Sequence, residues 1–506
     1  MKKLIQFIKE NYLFAILIIP FILVCVINRI PDNDIWFLLS LGRTVLTKGF
    51  VIIEPLTIHE GLSYVMQQWG SAVSFWLLYE NLGKIAILFF VLSILVLLFI
   101  CFYKLTKLLS NNKNISIIIT TCVFTLISGF IVSRPQIITY LILLLELLFL
   151  ENYVKTNNWK CLIGLVPLSI ILINVHAAMW LFLFLFLLPY IVNGIYIKKI
   201  TIDKYKLKPL LVVVVVMFLV GFINPYGIDN ITYIFNSYNL PGLSDNIAEM
   251  KAVDINHIVC FISFGLLCIL ILLDRYVKKF KLDIRHICLI FGTYFLFLSH
   301  AKCYPYFIFS YFIAISYGIK NIKFPEFNFN KCVNLIIVCK SLLRATCLML
   351  FISLFVMIGF MFKYYSFTTF TIFDGDSEVV ADYIEDNYNL EDVRLFTYFD
   401  DGGYYQFRGI KTYIDPRAEV FFKKLNKEKD IFTEYLKIYN DEVDFDYEKF
   451  LYKYNFTHLV VYPDTLIDKY LDESEEYEVV YTVKYQYDEN KIYQKLYALN
   501  SLDVSE

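Results

Sequence analysis

Asp32 and Asp34, in Pro31-Asp-Asn-Asp-Ile-Trp36, directly follow an apolar run, and they open a series of polar residues set at the ends of such runs. Arg43 comes next, then Arg134, Asn174 with His176, Asn224, Glu249 in a long connection, and His300 with Lys302. Carboxylates, imidazoles and cations gathered at one surface suit a displacement in which a lipid-borne phosphate leaves while a hydroxyl or amine attacks. The acid takes a proton and the cations steady the phosphate. No Walker loop, dinucleotide fingerprint or nucleophile elbow is present, so a nucleotide-driven pump and a serine hydrolase have no support. A donor that arrives already activated needs none of these.

A membrane scaffold must hold these residues. Of the 506 residues 58% are apolar and only 18% are charged, with a mean hydropathy of +0.58, which exceeds what a soluble core can bury. Runs able to cross a ~30 Å hydrocarbon layer at about 1.5 Å per residue fall near 12–28, 84–103, 115–131, 137–153, 161–176, 177–197, 209–224, 257–273, 286–300, 303–319 and 345–362. They predict a polytopic α-helical membrane protein with about eleven transmembrane helices. With Met1-Lys-Lys3 in the cytoplasm, the basic clusters at 104–113, 155–160, 198–208, 275–285 and 320–344 fall on the same side, as the positive-inside rule demands. The predicted topology has a cytoplasmic N-terminus and an extracytoplasmic C-terminus, and it sets all the polar residues named above on the outer side. Residues 12–28 are read as a retained helix, since no small-residue cleavage site follows. The net charge of −1 conceals this sorting and offers no basis for a nucleic-acid partner.

Residues 1–362 thus form a transmembrane module with a first outer loop at 29–83. Residues 363–506 change character, being rich in Asp, Glu, Lys and Tyr, and predict an extracytoplasmic α/β domain. Strands are expected at 393–398, 411–414, 458–462 and 478–484, and helices at 377–388, 427–439 and 447–454. All eleven cysteines precede this domain, so it has no disulfide, and no zinc-type spacing occurs.

Each polar residue also has a plain structural reading. Asp34 could cap the helix that starts beside it, Arg43 could snorkel to lipid headgroups, and Arg134-Pro135 could anchor a turn. His176, His300 and Lys302 divide evenly between packing and binding. Glu146, mid-run in Leu-Leu-Leu-Glu-Leu-Leu, is an intramembrane ionisable group that a neighbouring helix could satisfy. Asn224-Pro-Tyr-Gly227 reads as a helix stop, and Asp415-Pro-Arg417 as a buried ion pair that fixes a turn.

The order of several motifs resembles the GT-C superfamily of polyprenyl-phosphate-sugar-dependent glycosyltransferases, which includes protein O-mannosyltransferases. Asp34-Ile-Trp-Phe-Leu-Leu-Ser-Leu-Gly-Arg43 is similar to the first-loop segment of bacterial members, and Gln68-Trp69 with Trp76-Leu-Leu-Tyr79 to that loop's second surface helix. Ser133-Arg-Pro-Gln136, Asn174-Val-His176, Asn224-Pro-Tyr-Gly227, Ile247-Ala-Glu249, Gly402-Gly-Tyr404 and Ile414-Asp-Pro-Arg-Ala-Glu419 extend the match over nearly the whole chain. Met250 and Ser299-His-Ala-Lys302 depart from it, where members often carry Trp and an Arg-rich turn. The resemblance implies Asp34 as general base toward the acceptor, on a helix along the membrane surface, and Asp32 as its neighbour or a metal-site candidate. It implies a sugar phosphate within reach of Arg134, His176, His300 or Lys302, with Arg43 and Glu249 as further substrate-binding candidates. Metal dependence varies across the superfamily, so a divalent metal stays open. The implied activity is sugar transfer from a polyprenyl phosphate, with inversion, to a glycan, lipid or protein acceptor on the outer face of a bacterial plasma membrane. A flippase for lipid-linked sugars and a non-enzymatic envelope docking protein are the competing readings. Both predict indifference to loss of Asp34.

Overall fold

The computed structural model describes residues 32–195, 201–237, 258–322, 375–485 and 488–500, with Leu240, Ile247 and 250–254 between them. Helices α1 (Asp34–Lys48) and α2 (Trp69–Leu82) come first. The bundle follows as α3 (Lys84–Ser110), α4 (Lys113–Leu126), α5 (Gln136–Thr156), α6 (Leu165–Val175), α7 (Leu181–Gly194), α8 (Leu207–Val220), α9 (Ile228–Ser237), α10 (Ile258–Tyr276), α11 (Ile284–Ser299) and α12 (Tyr304–Gly318). A helix lies under every apolar run between residues 84 and 319. Four stretches are long and apolar enough to cross a membrane, namely Lys84–Ser110, Gln136–Thr156, Ala177–Gly194 and Val259–Tyr276, while α4, α8 and α11 are shorter apolar helices. The runs at 12–28 and 345–362, and the expected boundary after residue 362, lie outside the described residues. The described helices therefore do not establish a count of eleven.

The C-terminal domain holds α13 (Gly375–Asn387), β1 (Arg394–Phe396), α14 (Gly402–Phe407), β2 (Lys411–Thr412), α15 (Lys423–Asn426), α16 (Ile431–Tyr439), α17 (Tyr447–Tyr454), β3 (His458–Val461), α18 (Leu466–Glu473), β4 (Tyr477–Tyr485) and β5 (Asp488–Leu499). Its sheet runs β2-β1-β3-β5-β4. β1 is parallel to both neighbours, and β5 is antiparallel to β3 and β4, with Leu395 opposite His458 and Leu459 opposite Tyr497. All four expected strands are present, and β5 was not expected. The helix expected from 427 begins at Ile431, because Lys427 adopts a left-handed conformation (φ 68°) and the Asp430 side chain caps Thr433 N–H.

The segment that carries Asp34 packs into the C-terminal domain. Ile35, Trp36, Phe37, Leu38, Leu39 and Leu41 are all buried, and they belong to the same hydrophobic core as Leu395, Tyr404, Tyr413 and Val460 of the domain. Trp36 packs edge-on against Tyr404 and tilted against Phe407, each with ring centroids 4.9 Å apart. Burial on all sides, rather than along one stripe, marks a core helix. Gly42 lets α1 cross α2 closely, since a Cβ there would lie 2.2 Å from the Ala72 carbonyl oxygen. The loop also extends the sheet: Thr57 bridges Thr412 in parallel, and Ile58 N–H donates to the Thr412 carbonyl at 3.0 Å. This covers an edge strand that would otherwise present unpaired backbone groups.

Buried ions lock the joint. Arg417 donates to Glu54 Oε1 at 2.7 Å and to Asp415 Oδ2 at 2.6 Å, with all three side chains almost fully enclosed. Glu54 also accepts from the Leu56 and Thr57 backbone and from Thr57 Oγ1. The Asp415–Arg417 pair thus does fix a turn, and it reaches across to the first loop.

Two imidazoles, His59 in the first loop and His458 in the domain, make this joint core acid-sensitive. Burial lowers the pKa of His59, and of His458, from 6.5 to about 4; the Tyr413 carbonyl partly opposes this at His59, while Lys429, Arg394 and Lys453 add to it. Both rings are neutral in the fold at pH 6, whereas the unfolded chain binds protons as pH falls through 6.5. Their contribution is therefore full above pH 6.5 and lost progressively toward pH 4, by about 2 kcal/mol each at pH 5. Urea unfolding of the full chain in detergent between pH 7.5 and 5 is expected to show this loss, with a shallower pH slope in His458→Asn. A slope unchanged by the substitution would exclude His458 as a contributor.

Candidate active site

α1 starts at the aspartates because the Asp32 carbonyl accepts from Ile35 N–H (2.9 Å) and the Asn33 carbonyl from Trp36 N–H (3.3 Å). Asn33 occupies the cap position without a side-chain capping bond. The turn into α5 meets this end of α1. Asp32 N–H donates to Ser133 Oγ at 2.9 Å, and Arg134 Nε lies 3.1 Å from Asp34 Oδ2 while also pairing with Asp32. One guanidinium thus ties two carboxylates together.

A break between α6 and α7 supplies the imidazole. His176 closes α6, its N–H donating to the Leu172 carbonyl, and its Nδ1 lies 2.8 Å from Thr139 Oγ1 on α5. Asn174 fixes the neighbouring joint by accepting from Trp69 Nε1 at 2.9 Å and donating to the Ile170 and Ile223 carbonyls. The second break, between α11 and α12, is the 3-10 turn Ala301–Cys303. Ala301 N–H donates to the Lys251 carbonyl at 3.1 Å, which holds Lys302 at the same face as His176.

Asp34, Arg134, Gln136, His176 and Lys302 line one cavity of ≈ 520 Å³, a volume ordinary for a small-molecule site. The domain forms its opposite wall with Phe399, Asp400, Glu419, Phe432, Tyr435 and Tyr439. α14 brings this wall down onto α1: a Cβ on Gly402 would collide with the Ile414 carbonyl at 2.0 Å, and one on Gly403 would touch Phe37 N at 3.4 Å. Burial raises the pKa of the Glu419 carboxyl, opposed by its own backbone N–H and by the charges of Arg417 and Lys302. Carboxylates and cations thus face each other across a space lined by aromatic rings.

The structure separates the sequence candidates. Asp34, Arg134, His176 and Lys302 share the cavity. Asp32 stands behind Asp34, paired with Arg134. Arg43 is not at the cavity: its Nη2 donates to the Phe407 carbonyl at 3.1 Å, and its guanidinium lies over the Trp76 ring. His300 ends α11 without lining the cavity and sets up the turn that carries Lys302. Glu249 lies outside the described residues. Glu146 is fully buried in α5, away from the cavity, and neither carboxylate oxygen has a hydrogen-bond partner among the described residues. Asp400 and Tyr435 line the cavity without any sequence motif to mark them, and Gln136 lines it from the motif Ser133-Arg-Pro-Gln136, which assigns it no role. Glu419 sat unassigned in the motif Ile414-Asp-Pro-Arg-Ala-Glu419, which was the one available signal for it.

No group of three or more His, Cys, Asp or Glu gathers as a ligand set among the described residues, and Asp32 and Asp34 both bind Arg134.

No protein-family model and no curated protein sequence matches this chain. The fold does match a solved one: archaeal oligosaccharyltransferase AglB from Archaeoglobus fulgidus, in complex with an inhibitory peptide and a dolichol-phosphate, superposes with a TM-score of 0.54 at 11% identity, over 90% of this chain and 69% of that chain. The chain has a GT-C fold. Two further Archaeoglobus fulgidus oligosaccharyltransferase structures, one apo and one tethered to an acceptor peptide, give TM-scores of 0.48 and 0.49 at 11% and 10% identity, each over 90% of this chain and 70% of that chain. Within this GT-C fold the cavity lies between the helical bundle and the α/β domain, against the start of the helix that carries Asp34.

Proposed function

We propose that the chain is a membrane glycosyltransferase that moves a sugar from a polyprenyl-phosphate donor to an acceptor on the outer face of the plasma membrane. The observation that carries this reading is the single cavity where Asp34 meets Arg134, His176 and Lys302 beneath the domain wall. In the proposed displacement, Asp34 takes the proton of the acceptor hydroxyl or amine as its oxygen or nitrogen bonds the sugar C1. The C1–O bond to phosphate breaks on the opposite face, and the polyprenyl phosphate departs with the electron pair, so the anomeric centre inverts. Lys302 and His176 are proposed to stabilise the charge growing on that phosphate. Arg134 holds the Asp34 carboxylate in place through its ion pair. Thr139 orients the His176 ring through Nδ1.

The test is transfer of radiolabelled sugar from a panel of polyprenyl-phosphate donors to membrane fractions by the purified chain. Lys302→Gln is expected to raise the donor KM by about 10- to 100-fold, the cost of losing a hydrogen bond to a charged group. Absence of transfer from every donor, with acceptor fractions supplied, would sink the reading. A KM unchanged in Lys302→Gln would remove Lys302 from the phosphate site.

A further inference from the structure

A second charged cavity lies at the other end of the bundle. Gln136, at the start of α5, lines the cavity with Asp34, whereas Val154 and Lys155 near the end of α5 line this one, so the two are separated by roughly 28 Å of helix. Its volume is ≈ 500 Å³. The ends of α3 and α5 bound it, where Asn111 and Asn157 stop the helices in left-handed conformations. The segment before α8 covers it and is pinned by Ile202 and Asp203 N–H groups donating to Asp283 at 3.0 and 2.9 Å.

The floor is a closed ion network. Arg285, almost fully buried, donates to Glu151 through Nε (2.9 Å) and Nη2 (3.0 Å), to Asp203 (2.9 Å), and to Asp283. Glu151 also accepts from Tyr190 at 2.8 Å and pairs with His286, and Asp203 accepts from Tyr317 at 2.8 Å. Both carboxylates that line the cavity are thereby engaged. Lys155, Lys204 and Lys320 line it as well, with Lys320 Nζ 3.8 Å from Asp203 and 3.8 Å from the centre of the Tyr317 ring. Four cations face two carboxylates there, and Asp283 beneath makes a third, so the positive excess sits with the lysines. Leu108, Leu109 and Val154 form an apolar wall rising toward the bundle.

We infer that this cavity holds a phosphate ester, and that its source is the headgroup of an anionic phospholipid in the leaflet at that face. A basic pocket between helix ends with an apolar flank suits a phosphodiester whose acyl chains continue into the membrane. A free phosphate shares the charge but makes no use of the apolar wall.

The experiment measures binding of a spin-labelled phosphatidylglycerol to the full chain in detergent, against phosphatidylcholine and against competition by millimolar inorganic phosphate. Wild type is expected to prefer phosphatidylglycerol at least tenfold and to retain it under phosphate. Lys155→Gln is expected to weaken it about fivefold, and the triple variant Lys155→Gln, Lys204→Gln, Lys320→Gln about a hundredfold. Lys155 is exposed and outside the ion network, so the single variant serves if the triple does not fold. Equal affinity for the zwitterionic lipid, or unchanged binding in Lys155→Gln, would overturn the site. Displacement by inorganic phosphate would overturn the lipid as its source.

Discussion

Asp34→Asn is expected to abolish measurable sugar transfer, with a fall of about 10²- to 10⁴-fold in kcat/KM, while the chain stays folded. The amide keeps the size and shape of the carboxylate but cannot accept the acceptor's proton. Folding should survive because Arg134 retains its pairing with Asp32, and because α1 is held by Trp36 and its apolar neighbours rather than by Asp34. The measurement compares wild type and variant at matched thermal unfolding profiles, with the donor found active in the panel. Equal transfer by both would remove Asp34 as the base. It would also revive the docking and flippase readings, to which the Asp34 carboxylate is irrelevant.

The second large effect is on stability. Arg417→Met is expected to cost about 3–5 kcal/mol, since it leaves Glu54 and Asp415 as adjacent buried carboxylates without a countercharge. The loss should be localised. Hydrogen exchange is expected to accelerate first in the segment between α1 and α2 and in the turn before Ala418 and Glu419, because Arg417 joins those two segments across 363 residues of sequence. Transfer should fall with it, as Ala418 and Glu419 line the cavity. A destabilisation below about 1 kcal/mol, within the range of a surface substitution, would show that the joint is held by the Trp36–Tyr404 packing alone.

Legibility followed the range of the forces involved. Apolar runs declare helices because the pattern is local and the cost of exposing a peptide bond to lipid is large. The runs from 84 to 319 are accordingly helical, and the polar residues at their ends include three candidates that share the cavity, Arg134, His176 and Lys302. β5 stayed hidden because Asp488, Glu489, Lys491 and Lys495 interrupt the alternation that announces a strand, and its pairing with β3 and β4 supplies what the local pattern lacks. α14 and α15, of six and four residues, are too short for helical spacing to stand out.

The sequence by itself determined that this chain is a helical membrane protein with an α/β region at its C-terminal end, and that carboxylate, imidazole and cation lie at the ends of its helices. Hydropathy and charge are properties of single residues, so their sorting can be read without a fold. Only the tertiary structure decided that α1 is buried under the domain, that Arg43 holds a backbone carbonyl, that Arg134 clamps both aspartates, and that Asp400, Glu419 and Tyr435 wall the cavity opposite Asp34. Each of those outcomes depends on contacts between residues about a hundred to several hundred positions apart. Which of many polar or aromatic side chains meet at such separations is settled by packing complementarity, which no local pattern encodes.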